Sequence, residues 1–212
     1  MKFKFYPLRF KSIEDWYQSY DEHRRLVICD WISTANYMIG AVALGLFLMM
    51  FILIHSVIPS GSMISTINIG DHVIGNRLAY AFSEPQRGDV IIFYAPDAKA
   101  SGSELIYIKR LIGLPGETID ITDGVITVTT AEGQVFVLEE DYLGSVDENS
   151  YGTFVVPQGH YFFLGDNRKS SLDARKWANS YVPREDLIAK ATIKIYPNLK
   201  LFHSPEYTVP AN

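Results

Sequence analysis

Cysteine is nearly absent: the chain has one, Cys29, in 212 residues. A single thiol excludes an intramolecular disulfide framework and a cysteine-built structural zinc site. An excess of positive charge is missing too. Lys and Arg number 19 against 24 Asp and Glu, a net charge of −5, which argues against nucleic acid as the main partner. The histidines His55, His72 and His160 fall in no triad signature and no metal motif such as HExxH. No metal or cofactor is therefore expected. What remains is a folded chain with 48% hydrophobic residues and a mean hydropathy of +0.05.

That average hides a division. Charge of either sign is absent from residues 31–70, and residues 37–54 read YMIGAVALGLFLMMFILI, with apolar character continuing to Ile58. A helix needs roughly 20 apolar residues to cross a hydrocarbon core of about 30 Å. A buried core helix is the alternative, but length and lack of charge favour a transmembrane helix over residues 37–58. It lies too far from the N-terminus for the apolar core of a cleaved signal peptide, so an uncleaved anchor is expected. Basic residues flank it on one side: Arg24 and Arg25, then Lys2, Lys4, Arg9 and Lys11, whereas the first beyond it is Arg77. This asymmetry places residues 1–36 in the cytoplasm and residues 59–212 on the exported side of the cytoplasmic (inner) membrane, in a single pass. Residues 1–36 carry six basic and five acidic side chains, and residues 59–212 carry 13 and 19. The exported part is therefore acidic. Trp16, Tyr20, Val27 and Trp31 recur at near-helical spacing. They fit either an interfacial helix touching membrane lipid or a plain cytoplasmic helix.

Beyond Pro59 the pattern changes to short β-branched and aromatic runs between Gly, Pro, Asp and Asn. Strands are expected at Asp89–Tyr94, Ile106–Ile112, Gly124–Thr130, Gln134–Leu138, His160–Leu164 and Ile188–Tyr196, with Leu78–Phe82 as a further candidate. The expected fold is mainly β, with coiled or barrel-like sheets. Residues 120–160 are acidic and turn-rich, and read as a hairpin insertion away from the core.

Three segments carry chemistry. Residues 58–66 read IPSGSMIST, with Gly61 allowing a close backbone approach and Ser60 and Ser62 offering hydroxyls; alone they would be a linker. Residues 107–117 read YIKRLIGLPGE. On a strand, Lys109 shares a face with Tyr107 and Leu111, and Arg110 with Ile108 and Ile112. A lysine on an apolar face loses hydration, its pKa falls, and a neutral lysine can take a proton from a serine. Snorkelling, or pairing with Glu117, is the alternative. Residues 165–177 read GDNRKSSLDARKW. Asp166, Arg168, Asp173 and Arg175 can interlock as charge-assisted pairs, and Ser171 can orient a polar neighbour. An exposed turn seldom interleaves two Asp and two Arg this way.

The order of these blocks resembles the type I signal peptidases, membrane-bound serine proteases that remove signal peptides. It runs from a span into P-S-G-S-M, then Ile67, Gly70 and Asp71 as I-x-x-G-D, then R-G-D-V-I-I-F from Arg87. Y-I-K-R-L-I-G-L-P-G-E and G-D-N-R-x-S-S-x-D-x-R-x-W complete the series. The resemblance covers residues 57 to about 196 and is weak over 120–160. It implies a Ser-Lys dyad with Ser62 as nucleophile and Lys109 as general base. The Ser62 amide and the Ser60 hydroxyl would hold the oxyanion, and Ser171 would orient Lys109. Asp166, Arg168, Asp173 and Arg175 would frame the site, with Arg110 in support. Ile58, Pro59, Met63, Tyr107 and Ile108 would line the substrate cleft, which would prefer small side chains. The expected partners are signal peptides of exported preproteins and membrane lipid. A specialised processing peptidase of a secretion or conjugation system shares this chemistry; a non-catalytic anchored binding module does not. One departure concerns the backbone: Ser65 stands where the family usually has proline, which removes a fixed φ near −65°.

Overall fold

A computed structural model describes residues 13–96, 102, 105–205 and 207. The chain divides into two compact units, Met1–Met49 and Met50–Asn212.

In the first unit, α1 (Ile13–Gln18) precedes α2 (Glu22–Phe47). Asp21 caps α2, its carboxylate accepting the Arg24 amide at 2.9 Å. The aromatic stretch is divided: Trp16 lies on α1 and Tyr20 between the helices, whereas Val27 and Trp31 lie on α2, continuous with the apolar run. With the π-turn Leu48–Ile52, α2 extends over 31 residues, long and apolar enough to cross a membrane. Its apolar end comes earlier than the expected residue 58. Leu53–Val57 forms strand β1, paired antiparallel with β2 (His72–Asn76) from Leu53↔Asn76 to Val57↔His72. His55 and Ser56 break the uniform apolar character here, and the ladder to β2 satisfies the backbone that the helix no longer does.

The second unit is mainly β, as expected. Its larger sheet includes β3 (Val90–Tyr94), β4 (Ile106–Gly113), β9 (His160–Leu164), β10 (Val182–Pro183) and β11 (Leu187–Tyr196). The order is β1-β2-β11-β3-β4-β9-β10, with β12 (Lys200–Leu201) on β11. Leu78–Phe82 is not a strand. Ala79–Phe82 makes a helical turn, α3, which lets the Tyr80 hydroxyl donate to Asp89 at 3.0 Å.

Residues 120–160 are not an excursion away from the core. β5 (Thr118–Thr122), β6 (Val125–Thr129), β7 (Val135–Val137) and β8 (Gly152–Val155) form a second antiparallel sheet, ordered β7-β6-β5-β8. One face of it is buried: Ile119, Ile121, Ile126, Val128 and Phe136 join Ile91, Phe93, Leu111 and Phe163 of the large sheet in one core. Alternation sends Val125, Val135, Val137 and Val155 to the exposed side. A smaller core of Ile58, Met63, Ile67, Val73, Val90 and Ala191 underlies the segment after β1.

Candidate active site

β4 places two cations side by side in the interior: Lys109 is 4% exposed and Arg110 2%. β3 pairs Ile91 with Lys109 and Phe93 with Tyr107, so the lysine stem runs over an apolar face. Its Nζ lies 5.6 Å from the centre of the Tyr107 ring. Nζ is hydrogen-bonded to the Ser62 hydroxyl, 47 residues away in sequence. Burial lowers the lysine pKa from 10.5 to about 8, against the opposing pull of Asp173 and Asp166. About a tenth of the lysine is therefore neutral at pH 7.

Ser62 reaches this position because the segment after β1 folds back as a chain of turns. Met63 anchors it: this side chain is fully buried between Ile58, Ile67 and Val73. Met63 is thus a core residue and not the cleft wall expected of it; its large side chain fills the core beneath the Ser62 turn. Ser60 Oγ lies 3.5 Å from Ser62 Oγ. The two serines and Lys109 open into a cleft of about 560 Å³ whose walls include Ile58, Pro59, Tyr107 and Ile108, together with Ile106 and Leu172.

On the other face of β4, Arg110 is fully engaged. Its guanidinium grips Asp166 through Nε–Oδ1 at 2.9 Å and Nη2–Oδ2 at 2.6 Å, and donates to the Gly88 carbonyl at 2.8 Å. It sits 3.8 Å from the Tyr142 ring centre. Burial alone would lower its pKa, but the hydrogen bonds and charge of Asp166 outweigh that and raise it. Thr66 Oγ1 donates to Asp166 at 2.5 Å, which ties the segment carrying Ser62 to the same pair.

The four charges of the 165–177 loop do not interlock among themselves as the sequence pattern implied. Arg175 does hold Asp173, Nε to Oδ1 at 2.8 Å, but Asp166 belongs to Arg110, and Arg168 pairs with Glu140 of the second sheet's connection. Arg175 also approaches Asp147 at 3.6 Å. No Lys or Arg occurs between Arg110 and Arg168, so Glu140 and Asp147 take their counter-charges from the 165–177 loop. Ser171 departs from expectation. Its hydroxyl has no hydrogen-bond partner among the described residues, Lys109 included. Lys109 Nζ is turned to Ser62 instead, and Ser171 packs against Gly165, where a Cβ would lie 2.2 Å from Ser171 Oγ.

Three hydrogen bonds, from two residues, went unread in the sequence. Asn167 donates its amide N–H to the Ser62 carbonyl at 3.0 Å and its side-chain Nδ2–H to the Gly61 carbonyl at 2.9 Å. Ser65 takes φ +94°, and its hydroxyl donates to the Tyr142 carbonyl at 2.8 Å.

A serine hydroxyl bonded to a buried lysine of lowered pKa, open to an apolar cleft, can act as nucleophile and base in acyl transfer, the chemistry of a Ser-Lys hydrolase. The family model described as "Signal peptidase, peptidase S26" matches residues 29–196, and the chain belongs to that family of serine endopeptidases. It is 34% identical to a probable signal peptidase I-2 of Synechocystis over 168 residues, covering 79% of this chain and 74% of that one. It is 36% identical to a signal peptidase I of Leptolyngbya laminosa over 160 residues, 74% and 75% of the two chains. Among solved structures, a signal peptidase I from Enterococcus faecalis matches at 32% identity with a TM-score of 0.41, covering 52% of this chain and 98% of that one.

Proposed function

We propose that this protein is a membrane-anchored endopeptidase that removes signal peptides from exported preproteins, with Ser62 as nucleophile and Lys109 as general base. The observation that carries the reading is the hydrogen bond between Lys109 Nζ and Ser62 Oγ at the floor of the cleft. Neutral Lys109 accepts the Ser62 proton as Oγ bonds to the scissile carbonyl carbon. The carbonyl electron pair moves to oxygen, where the Ser62 amide and the Ser60 hydroxyl receive it. Collapse breaks the C–N bond, the lysine proton passes to the leaving amine, and water then releases the acyl group.

The cleft suits an extended peptide. β4 pairs with β9 only over Arg110–Gly113, so the edge of Ile106–Lys109 away from β3 is unpaired. A peptide laid there gains main-chain hydrogen bonds while its side chains enter apolar walls. The helix ending at Ile52 is the anchor, with its N-terminus in the cytoplasm and the β unit on the exported side; the basic residues before it support that orientation. Ser62 follows ten residues later. Ser171 and the Asp173–Arg175 pair support the loop that faces the dyad.

The test uses the full chain in detergent or lipid and an exported precursor. Wild-type protein is expected to release the mature chain, and Ser62→Ala and Lys109→Ala to release none. Cleavage by either variant at the wild-type rate overturns the assignment. A binding module without catalysis would not bring a lysine of lowered pKa onto a serine; its signature would be wild-type protein that binds precursor and cuts none.

A further inference from the structure

We propose that Asn167 is a positioning residue for the oxyanion-binding amide of Ser62. The proposal rests on reading Ser62 as the nucleophile. Both peptide groups that flank Ser62 are held by this one side chain and its backbone. The Gly61 carbonyl accepts Asn167 Nδ2–H at 2.9 Å, and the Ser62 carbonyl accepts Asn167 N–H at 3.0 Å. The Gly61 carbonyl takes a second bond from the Ile64 amide at 3.2 Å, so its direction is fixed from two sides.

The consequence follows from peptide geometry. The Gly61–Ser62 peptide is trans and planar. Its N–H points opposite to its C=O. Clamping the Gly61 oxygen toward Asn167 therefore aims the Ser62 N–H away from Asn167. That N–H has no acceptor among the described residues. A donor that is unengaged, aimed and unable to rotate needs no reorganisation when charge develops on the substrate oxygen. The approach is close. At Gly165, a Cβ would lie 2.5 Å from the Ser62 carbonyl oxygen, so the loop carrying Asn167 sits directly against the nucleophile's backbone.

Asparagine suits the task for a chemical reason. Its Nδ2 donates to a carbonyl, whereas aspartate of the same shape offers only acceptors there. Asn167→Asp keeps the backbone bond to Ser62 and removes the side-chain donor. Asn167→Ala removes the donor without adding charge. Both are compared with wild type on a peptide substrate spanning a cleavage site, and by affinity for a peptide aldehyde. The Ser62 hydroxyl adds across the aldehyde C=O, its proton balancing the new oxyanion.

Each variant is expected to lose roughly 10²-fold in kcat, with KM and melting temperature unchanged; the midpoint of the pH–rate profile stays in Asn167→Ala and moves upward in Asn167→Asp, whose new carboxylate lines the same cleft as Lys109. Affinity for the aldehyde is expected to fall by the same factor, while affinity for the cleaved signal peptide stays. A merely structural role would instead lower the melting temperature and weaken both ligands alike, and that result overturns the proposal. Wild-type kcat and aldehyde affinity in Asn167→Asp also overturn it, and leave the nucleophile assignment intact. Wild-type protein that forms no aldehyde adduct at Ser62 overturns both.

Discussion

The two faces of β4 treat adjacent cations in opposite ways. Lys109 and Arg110 are equally buried, yet burial lowers the lysine pKa while Arg110 ends above its ordinary value. The difference lies in where the carboxylates are committed. Asp166 is gripped bidentately by Arg110, and Asp173 by Arg175. Each carboxylate pulls the lysine pKa upward, but each already has its own arginine. Lys109 is left with an apolar face and a serine. A buried cation becomes a base where counter-charge is spent elsewhere, and a strut where it is not. In the proposed mechanism Arg110 and Arg175 thus protect the basicity of Lys109 by holding both carboxylates.

The comparison breaks most visibly at Lys109. Lys109→Met is expected to fold and to lose roughly 10²–10⁴-fold in kcat, the contribution of a positioned general base, measured as single-turnover cleavage of a precursor peptide. Next is Arg110→Met, which leaves Asp166 buried and unpaired. Breaking a buried pair costs about 3–5 kcal/mol, readable by urea unfolding of the full chain. The freed carboxylate would also lift the lysine pKa. In wild type, kcat/KM is expected to rise with pH through a midpoint near 8, because only the neutral amine accepts a proton. In Arg110→Met that midpoint moves upward; a midpoint that stays put contradicts the protective role.

Stability gives a gentler version of the same contrast. The folded lysine pKa, about 8, lies below its ordinary 10.5. Below pH 8 both folded and unfolded chains hold the proton, and the penalty for burying the charge is fully present. Between the two values the unfolded chain binds more protons, so stability rises with pH, and above 10.5 the penalty is gone. Wild type is therefore expected to gain stability relative to Lys109→Met as pH rises from 8 to 10.5, measured by denaturant titration at several pH values. A constant difference would mean that the folded lysine titrates at its ordinary 10.5, its charge fully compensated.

Part of this was legible in the chain. β3, β4, β6, β9 and β11 announce themselves through β-branched and aromatic runs. β2 (HVIGN), β5 (TIDIT) and β8 (GTFV) do not, because Gly, Asn and Asp dilute runs of four or five residues. The acidic composition of residues 120–160 suggested solvent, yet alternate residues of β5 and β6 are core, and Glu140 and Asp147, between β7 and β8, pair with Arg168 and Arg175. The pairing of Ser62 with Lys109 was readable through ordered motifs. Asn167 was not: a side chain that bonds the Gly61 carbonyl 106 residues away leaves no periodic trace. Met63 misled because an apolar residue beside a nucleophile looks the same whether it faces the cleft or the core.

The smallest effects are expected at Ser65, where the two faces are joined. Its hydroxyl links the segment carrying Ser62 to the Tyr142 carbonyl, and the Tyr142 ring stacks under Arg110. The family's usual proline would fix φ near −65°, whereas Ser65 lies at +94°. This loop has therefore exchanged a ring constraint for a hydrogen bond. Ser65→Pro is expected to destabilise the second unit by more than about 1 kcal/mol, since proline cannot adopt the native backbone, and to slow cleavage with it. Ser65→Gly loses one hydrogen bond, about 1 kcal/mol, but relieves a positive φ worth a similar amount. Its melting temperature should stay close to wild type, and its kcat should fall only as far as the lost tether lets Ser62 wander from Lys109. Proline tolerated better than glycine would show that the loop adopts the family's usual backbone in solution, and that the tether to Tyr142 does not hold Ser62.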